Sequence, residues 1–251
     1  MTAGIRKVIS TCSVLLLWFL TTGADDSALV QTRDWSGSFV ARVEALAVLE
    51  TLNAELLANN SATLTLEHWC DVHHLASTPR IVAVRVPDVD KPASPEQRRE
   101  LGVTPTEPVR YRRVKLRCGT VVLSEADNWY VPGRLTPEMN KVLDTTDTPF
   151  GKAVKALNFQ RHTLSAKLLW LALPEGWEMN SSALKDEVGF SPMPAKLLEH
   201  RAVLTLPDGT PFSEVVETYT ANVLDFPLPR PRADRRGGSV VHAAPVDESV
   251  R

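Results

Sequence analysis

Six apolar residues, Phe39, Val43, Leu46, Leu49, Leu52 and Leu56, fall near helical spacing and predict an amphipathic helix over residues 39–58. Ser36 or Ser38 can cap it, and Asn59 and Asn60, which tolerate the left-handed conformation, end it. A second helix is predicted through SATLTLEHWCDVHHL, with Ser61 as its cap. From there the rhythm shifts towards period two. Residues 80–86 read as a strand, and residues 109–132, VRYRRVKLRCGTVVLSEADNWYVP, read as a pair of strands folded back at Cys118-Gly119-Thr120. Between them SPEQRRELG carries a serine cap, a proline at the first position, an early glutamate and a closing glycine, so a short helix is expected there. Thr136-Pro137-Glu138 opens a further helix over residues 135–145, and a shorter one runs over 148–157. Residues 159–171 then form a long strand. The last pair, residues 197–206 and 211–224, closes over the turn Pro207-Asp208-Gly209-Thr210.

Hairpins dominate this order, which predicts an α+β domain over residues 36–226: an antiparallel sheet of about six strands with helices packed on it. The composition, 43% hydrophobic and 23% charged over 251 residues, suits one globular domain with a core of useful size. Both ends fall outside it. Arg6 and Lys7 precede an apolar run from Val8 to Leu20, and Thr22-Gly23-Ala24 supplies small residues before Asp25, so residues 1–24 read as a secretory signal peptide. That run is shorter than the roughly 20 residues a membrane span needs, so no stable span is expected once the signal is removed, and the mature chain is expected in the periplasm or secreted. Residues 227–251 are poor in periodic apolar residues and read as a disordered tail. The signal takes away two of 28 basic residues and none of the 30 acidic ones, which leaves a mature chain too acidic for a generic nucleic-acid footprint.

Two stretches carry chemistry. The first strand of the central hairpin places Arg110, Arg112, Arg113, Lys115 and Arg117 among alternate apolar residues Val114, Leu116 and Cys118. A rigid cation is a plausible clamp for an anion, whereas a solvated, edge-protecting face is the plain alternative. In the closing hairpin, Ser213, Val215, Glu217, Tyr219 and Ala221 share one face of a strand. A lone buried carboxylate there must be protonated, paired with a cation or met by a ligand. Cys70 and Cys118 remain after Cys12 leaves with the signal; they can form a disulfide or stay as two buried thiols. His68, Cys70, His73 and His74 have no second ligand pair at metal spacing, so ordinary packing is expected and no metal. There is no internal repeat, phosphate-binding glycine loop or nucleophile elbow.

From about Ser36 to Leu224 the local words and their order resemble the chorismate lyase (chorismate pyruvate-lyase) family. The words are Asn60-Ser61-Ala62-Thr63 at a helix start, Arg113 five residues before Cys118, Val131-Pro132, Thr148-Pro149-Phe150-Gly151, His162-Thr163-Leu164 and the closing hairpin with Glu217. The resemblance implies a chorismate-lyase-like fold and an enzyme that removes pyruvate from chorismate to leave 4-hydroxybenzoate, with no cofactor. It assigns Arg113 to a substrate carboxylate, Glu217 to the ring oxygen, and Ala62 and Phe150 to the ligand-lining wall. Arg112 lies on the opposite face from Arg113, and a one-residue slip of register exchanges them. The same residues also suit a non-catalytic periplasmic binding module for a hydroxybenzoate-like aromatic acid. In either case the partner is a small aromatic acid and the chain is expected as a monomer.

Overall fold

The computed structural model describes residues 34–35, 38–87, 89–179 and 192–226. The expected signal segment, the tail and Ser36 lie outside the described residues. Helix α1 (Phe39–Ala58) starts where Ser38 Oγ accepts from Ala41 N, and buries Ala45, Leu49, Leu52 and Leu56 completely. Each of those leucines contributes roughly 2 kcal/mol on leaving water. Helix α2 (Ala62–Val72) is capped by Ser61, whose Oγ accepts from Leu64 N. Strand β1 (Ile81–Arg85) follows, then α3 (Pro95–Glu100), where Ser94 and Gln97 form a reciprocal capping box. The central hairpin is β2 (Arg110–Cys118) and β3 (Val121–Tyr130), and Gly119 takes a left-handed φ of 56° at its turn. A Cβ there would lie 2.9 Å from Ala76 Cβ. Helices α4 (Pro137–Thr145) and α5 (Phe150–Ala153) lead into β4 (Gln160–Leu168), and β5 (Lys196–Thr205) pairs with β6 (Pro211–Thr220).

The six strands form a single antiparallel sheet in the order β1-β2-β3-β6-β5-β4. Cross-strand register fixes which side chains share a face. Val114, Ala126, Glu217 and His200 stand in one row, and Arg112, Asn128, Val215 and Ala202 in the next. These rows face α1 and α2, whose buried residues join Val114, Leu116, Ala126, Val215 and Tyr219 in the main core. On the opposite face, Leu101 and Val103 after α3 pack on Trp129 and Val216. A third cluster, with Tyr130, Leu143, Val154, Phe159 and Phe212, seats α4 and α5.

Two strand ends differ from the expectations. The long strand ends at Leu168 rather than residue 171. The closing strand stops at Thr220, where a single 3-10 turn, Ala221–Leu224, takes over. The carbonyls of Val223 and Leu224 accept the indole N–H groups of Trp69 and Trp35, each at 2.9 Å, and those buried bonds pull the chain out of the sheet. Cys70 and Cys118 are joined, with Cα atoms 6.3 Å apart, so α2 is tied covalently to the end of β2. Among the described residues no helix is long and apolar enough to cross a membrane, and no group of His, Cys, Asp or Glu is placed to hold a metal ion. Cys70 is committed to the disulfide, and His73 stacks on Trp69 with centroids 4.0 Å apart.

Candidate functional site

Where α2 and α5 approach the inner face of the sheet they leave a partly open cavity, ≈ 520 Å³ with the open solvent at its mouth included. Its floor is apolar, from Val114, Leu116, Ala126, Leu204 and Val215. Its roof is the start of α2, Asn60 to Thr63, with Phe150, Gly151 and Phe159. The roof is tight: a Cβ on Gly151 would lie 3.3 Å from Ser61 Oγ. Four polar side chains enter from the sheet, Arg112, Asn128, Arg161 and Glu217.

Arg112 is 7% exposed. Its Nη2 donates to the Thr148 carbonyl at 3.1 Å, while its buried Nε has no partner. No described residue forms a salt bridge with it; Asp144 and Asp147 act on it only at longer range. Burial lowers its pKa, the expected direction for a desolvated cation, yet a guanidinium stays charged at any ordinary pH. A buried cation without an ion-pair partner costs several kcal/mol, which an anion filling the cavity would offset.

Glu217 faces Arg161 across the same space, with Arg161 Nη2 2.7 Å from Glu217 Oε2 and both side chains under a tenth exposed. The fully buried Tyr219 hydroxyl donates to the same Oε2 at 3.3 Å. Both bonds therefore end on one oxygen and leave Oε1 to the cavity. Arg161 Nε is buried without a partner. Behind this pair sits His200, fully buried, its Nε2 2.8 Å from Asn53 Oδ1 on α1 and its ring edge-on to Tyr219. Burial and the nearby Arg161 push the His200 pKa down to about 4, so it is neutral across the physiological range. Asn128 is fixed by Ser213 Oγ, which donates to Oδ1 at 2.6 Å.

The structure brings Ala62, Phe150 and Glu217 to the cavity wall and does not bring Arg113 there. Arg113 lies on the other face of β2, with its Nη2 3.5 Å from Glu125 Oε2 and its Nε 3.7 Å from Asp127 Oδ1. The reason is strand alternation: Arg112 shares the face of Val114, Leu116 and Cys118, so Arg113 must share that of Lys115 and Arg117. Sequence reasoning did not find Arg161. It heads an exposed strand whose own pattern gives no sign of burial, and it reaches the cavity only because β4 pairs with β5 at Leu204.

No family model matches the chain. A protein of Sinorhizobium fredii (strain NBRC 101917 / NGR234) described as uncharacterized protein y4mC is 58% identical over 202 residues, which is 80% of this chain and 85% of that protein. Among solved structures, the effector domain of PhnF from Mycobacterium smegmatis has a TM-score of 0.41 at 15% identity over 65% of this chain and 90% of its own. A GntR-family transcriptional regulator from Enterococcus faecalis has a TM-score of 0.37 at 14% identity, covering 59% of this chain and 99% of its own. The possible transcriptional regulator YydK of Bacillus subtilis has a TM-score of 0.36 at 17% identity over 59% of this chain; only 62% of that regulator's length is spanned. Likeness at this level says nothing of a ligand.

Proposed function

The chain belongs to the same family as the Sinorhizobium fredii protein y4mC, and from the cavity we propose that it binds a small aromatic carboxylic acid of the hydroxybenzoate and chorismate class. The observation that carries this reading is Arg112, a buried cation with a partnerless Nε on the wall of a cavity with an apolar floor. A guanidinium meets a carboxylate through two parallel hydrogen bonds, and the apolar floor and Phe150 and Phe159 suit a flat ring. The carboxylate contact expected of Arg113 passes to Arg112.

Glu217 favours a second, finer reading, elimination of pyruvate from chorismate. In that reaction a proton leaves the ring carbon bearing the hydroxyl, its electron pair aromatises the ring, and the ether C–O bond breaks. The departing enolpyruvate gains a proton at its methylene carbon and becomes pyruvate. Glu217 Oε1 would accept from the ring hydroxyl, and Arg161 would donate to the oxygen that leaves. The apolar run of residues 8–20 behind Arg6 and Lys7 supports export, so the ligand would be met outside the cytoplasm.

The test is calorimetry with 4-hydroxybenzoate alongside an assay for pyruvate from chorismate. Saturable binding that Arg112→Leu abolishes and Arg113→Ala leaves intact supports the binding reading; absence of binding to the wild type overturns it. Pyruvate release lost in Glu217→Gln, with 4-hydroxybenzoate still bound, adds the lyase. Cell fractionation of the full chain tests export, and recovery in the cytoplasm with residues 1–24 intact would refute it.

A further inference from the structure

What Glu217 selects for depends on the groups immediately around it. A carboxylate in a cavity can turn either oxygen to a ligand, or turn both away, unless something fixes it. Two groups fix Glu217. Arg161 Nη2 holds Oε2 at 2.7 Å from β4, and the Tyr219 hydroxyl holds the same oxygen at 3.3 Å from two residues along β6. Tyr219 is fully buried, and burial together with the Glu217 charge pushes its pKa well above the usual value, so its hydroxyl is a permanent donor. Its ring is immobilised in turn by the edge-on contact with His200, centroids 5.5 Å apart, and by the main core.

We infer that Tyr219 and Arg161 are positioning residues that together clamp Oε2 of Glu217, so that Oε1 stays in the cavity as a bare acceptor and makes the pocket selective for an acid with a hydroxyl donor remote from its carboxylate. This rests on the binding reading of the cavity. Without the clamp the glutamate could turn both oxygens away from a ligand, and a ring without the hydroxyl would then fit equally well. With the clamp, such a ring leaves a buried ionised oxygen without a donor. A hydrogen bond to a charged group is lost in that case, which corresponds to roughly a tenfold or greater preference for the hydroxylated acid.

The experiment measures dissociation constants of 4-hydroxybenzoate and benzoate by calorimetry on the full chain, for the wild type, Tyr219→Phe and Arg161→Lys. Tyr219→Phe keeps the ring that fills the core and removes only the donor; Arg161→Lys keeps the charge and removes the guanidinium geometry. The wild type should prefer the hydroxylated acid about tenfold or more, each variant should bring the ratio to about threefold or less, and in Tyr219→Phe the benzoate constant should move by no more than about twofold. A merely structural residue would weaken both acids together and leave the ratio standing. A wild-type ratio near one, or a ratio preserved in the variants, overturns the clamp. If Tyr219→Phe does not fold, the ratio in Arg161→Lys decides alone. Failure of both acids to bind the wild type would instead refute the binding reading itself.

Discussion

Two arginine–glutamate clusters sit back to back across β6, their glutamates three residues apart on that strand, and they are built differently. On the outer face Arg201 uses all of its guanidinium: Nε bonds Glu214 Oε1 at 2.8 Å, Nη1 bonds Glu96 at 3.0 Å and Nη2 bonds Glu100 at 2.7 Å. Gln97 Nε2 adds a fourth contact, 3.3 Å from Glu214 Oε1, so α3 is latched to the sheet. On the inner face Arg161 gives Glu217 one nitrogen and leaves its buried Nε idle, while Arg112 nearby has no carboxylate at all. A buried ion pair is thus weak evidence of function by itself, because both faces have one. Unused donors on side chains that line a cavity are the more telling sign, since a ligand can reach them there.

The sharpest way to separate the two clusters is through the disulfide. It closes a stretch of 48 residues, for which the loop-entropy relation gives about 4 kcal/mol. Because it anchors α2, which roofs the inner cluster, a Cys70→Ala/Cys118→Ala chain should lower the melting midpoint and speed amide exchange in α2, while exchange in α3 stays slow relative to it. Equal loosening of both helices would break the distinction. Next in size is Arg201→Met. It strands the fully buried Glu214 and should cost about 3 kcal/mol in a melt, with the 4-hydroxybenzoate constant unchanged within about twofold in the folded range.

Much of this contrast was legible in the sequence, and the remainder was hidden for physical reasons. The caps Ser38, Ser61, Ser94 and Thr136, and the turns at Gly119 and Gly209, are local devices that a single chain segment specifies. Glu217 was legible because a carboxylate interrupts an apolar face. Arg112 was half legible: alternation with Val114 and Leu116 marks its face, but the family resemblance pointed one residue along, to Arg113. Arg161 and the Arg201 latch could not be seen, because each depends on which strand or helix arrives opposite. Glu214 illustrates the limit best. Its neighbours on β6 alternate as for a half-solvated strand, yet α3 covers its side and it is 0% exposed.

Arg112→Leu should invert the outer-face result. Truncating one partner of a buried charge pair costs binding about a hundredfold or more, so 4-hydroxybenzoate affinity should collapse. In the empty protein, by contrast, the substitution removes a cation without an ion-pair partner and fills its place with an apolar side chain, so the melting midpoint should stay level or rise. A midpoint that falls as far as in Arg201→Met would mean that Arg112 is a structural cation after all.

The smallest effect belongs to the outer latch and carries a sign. Three carboxylates meet one arginine there, and Glu214 Oε2 is buried with no donor unless Glu100 carries a proton. Burial, the hydrogen bond to Glu214 and the Glu214 charge push the Glu100 pKa above the ordinary glutamate value of 4.5. A group whose folded-state pKa is raised contributes its stabilisation in full below the unfolded-state value and loses it as pH rises through the folded-state value. The latch should therefore loosen as pH climbs above that ordinary value towards neutrality, whereas Glu100→Gln, which keeps a donor at every pH, should not follow. The readout is the wild-type melting midpoint minus that of Glu100→Gln, which should fall with rising pH across this window. A difference that stays flat, or rises, would mean that Glu100 and Glu214 share no proton and that Arg201 alone carries the outer cluster.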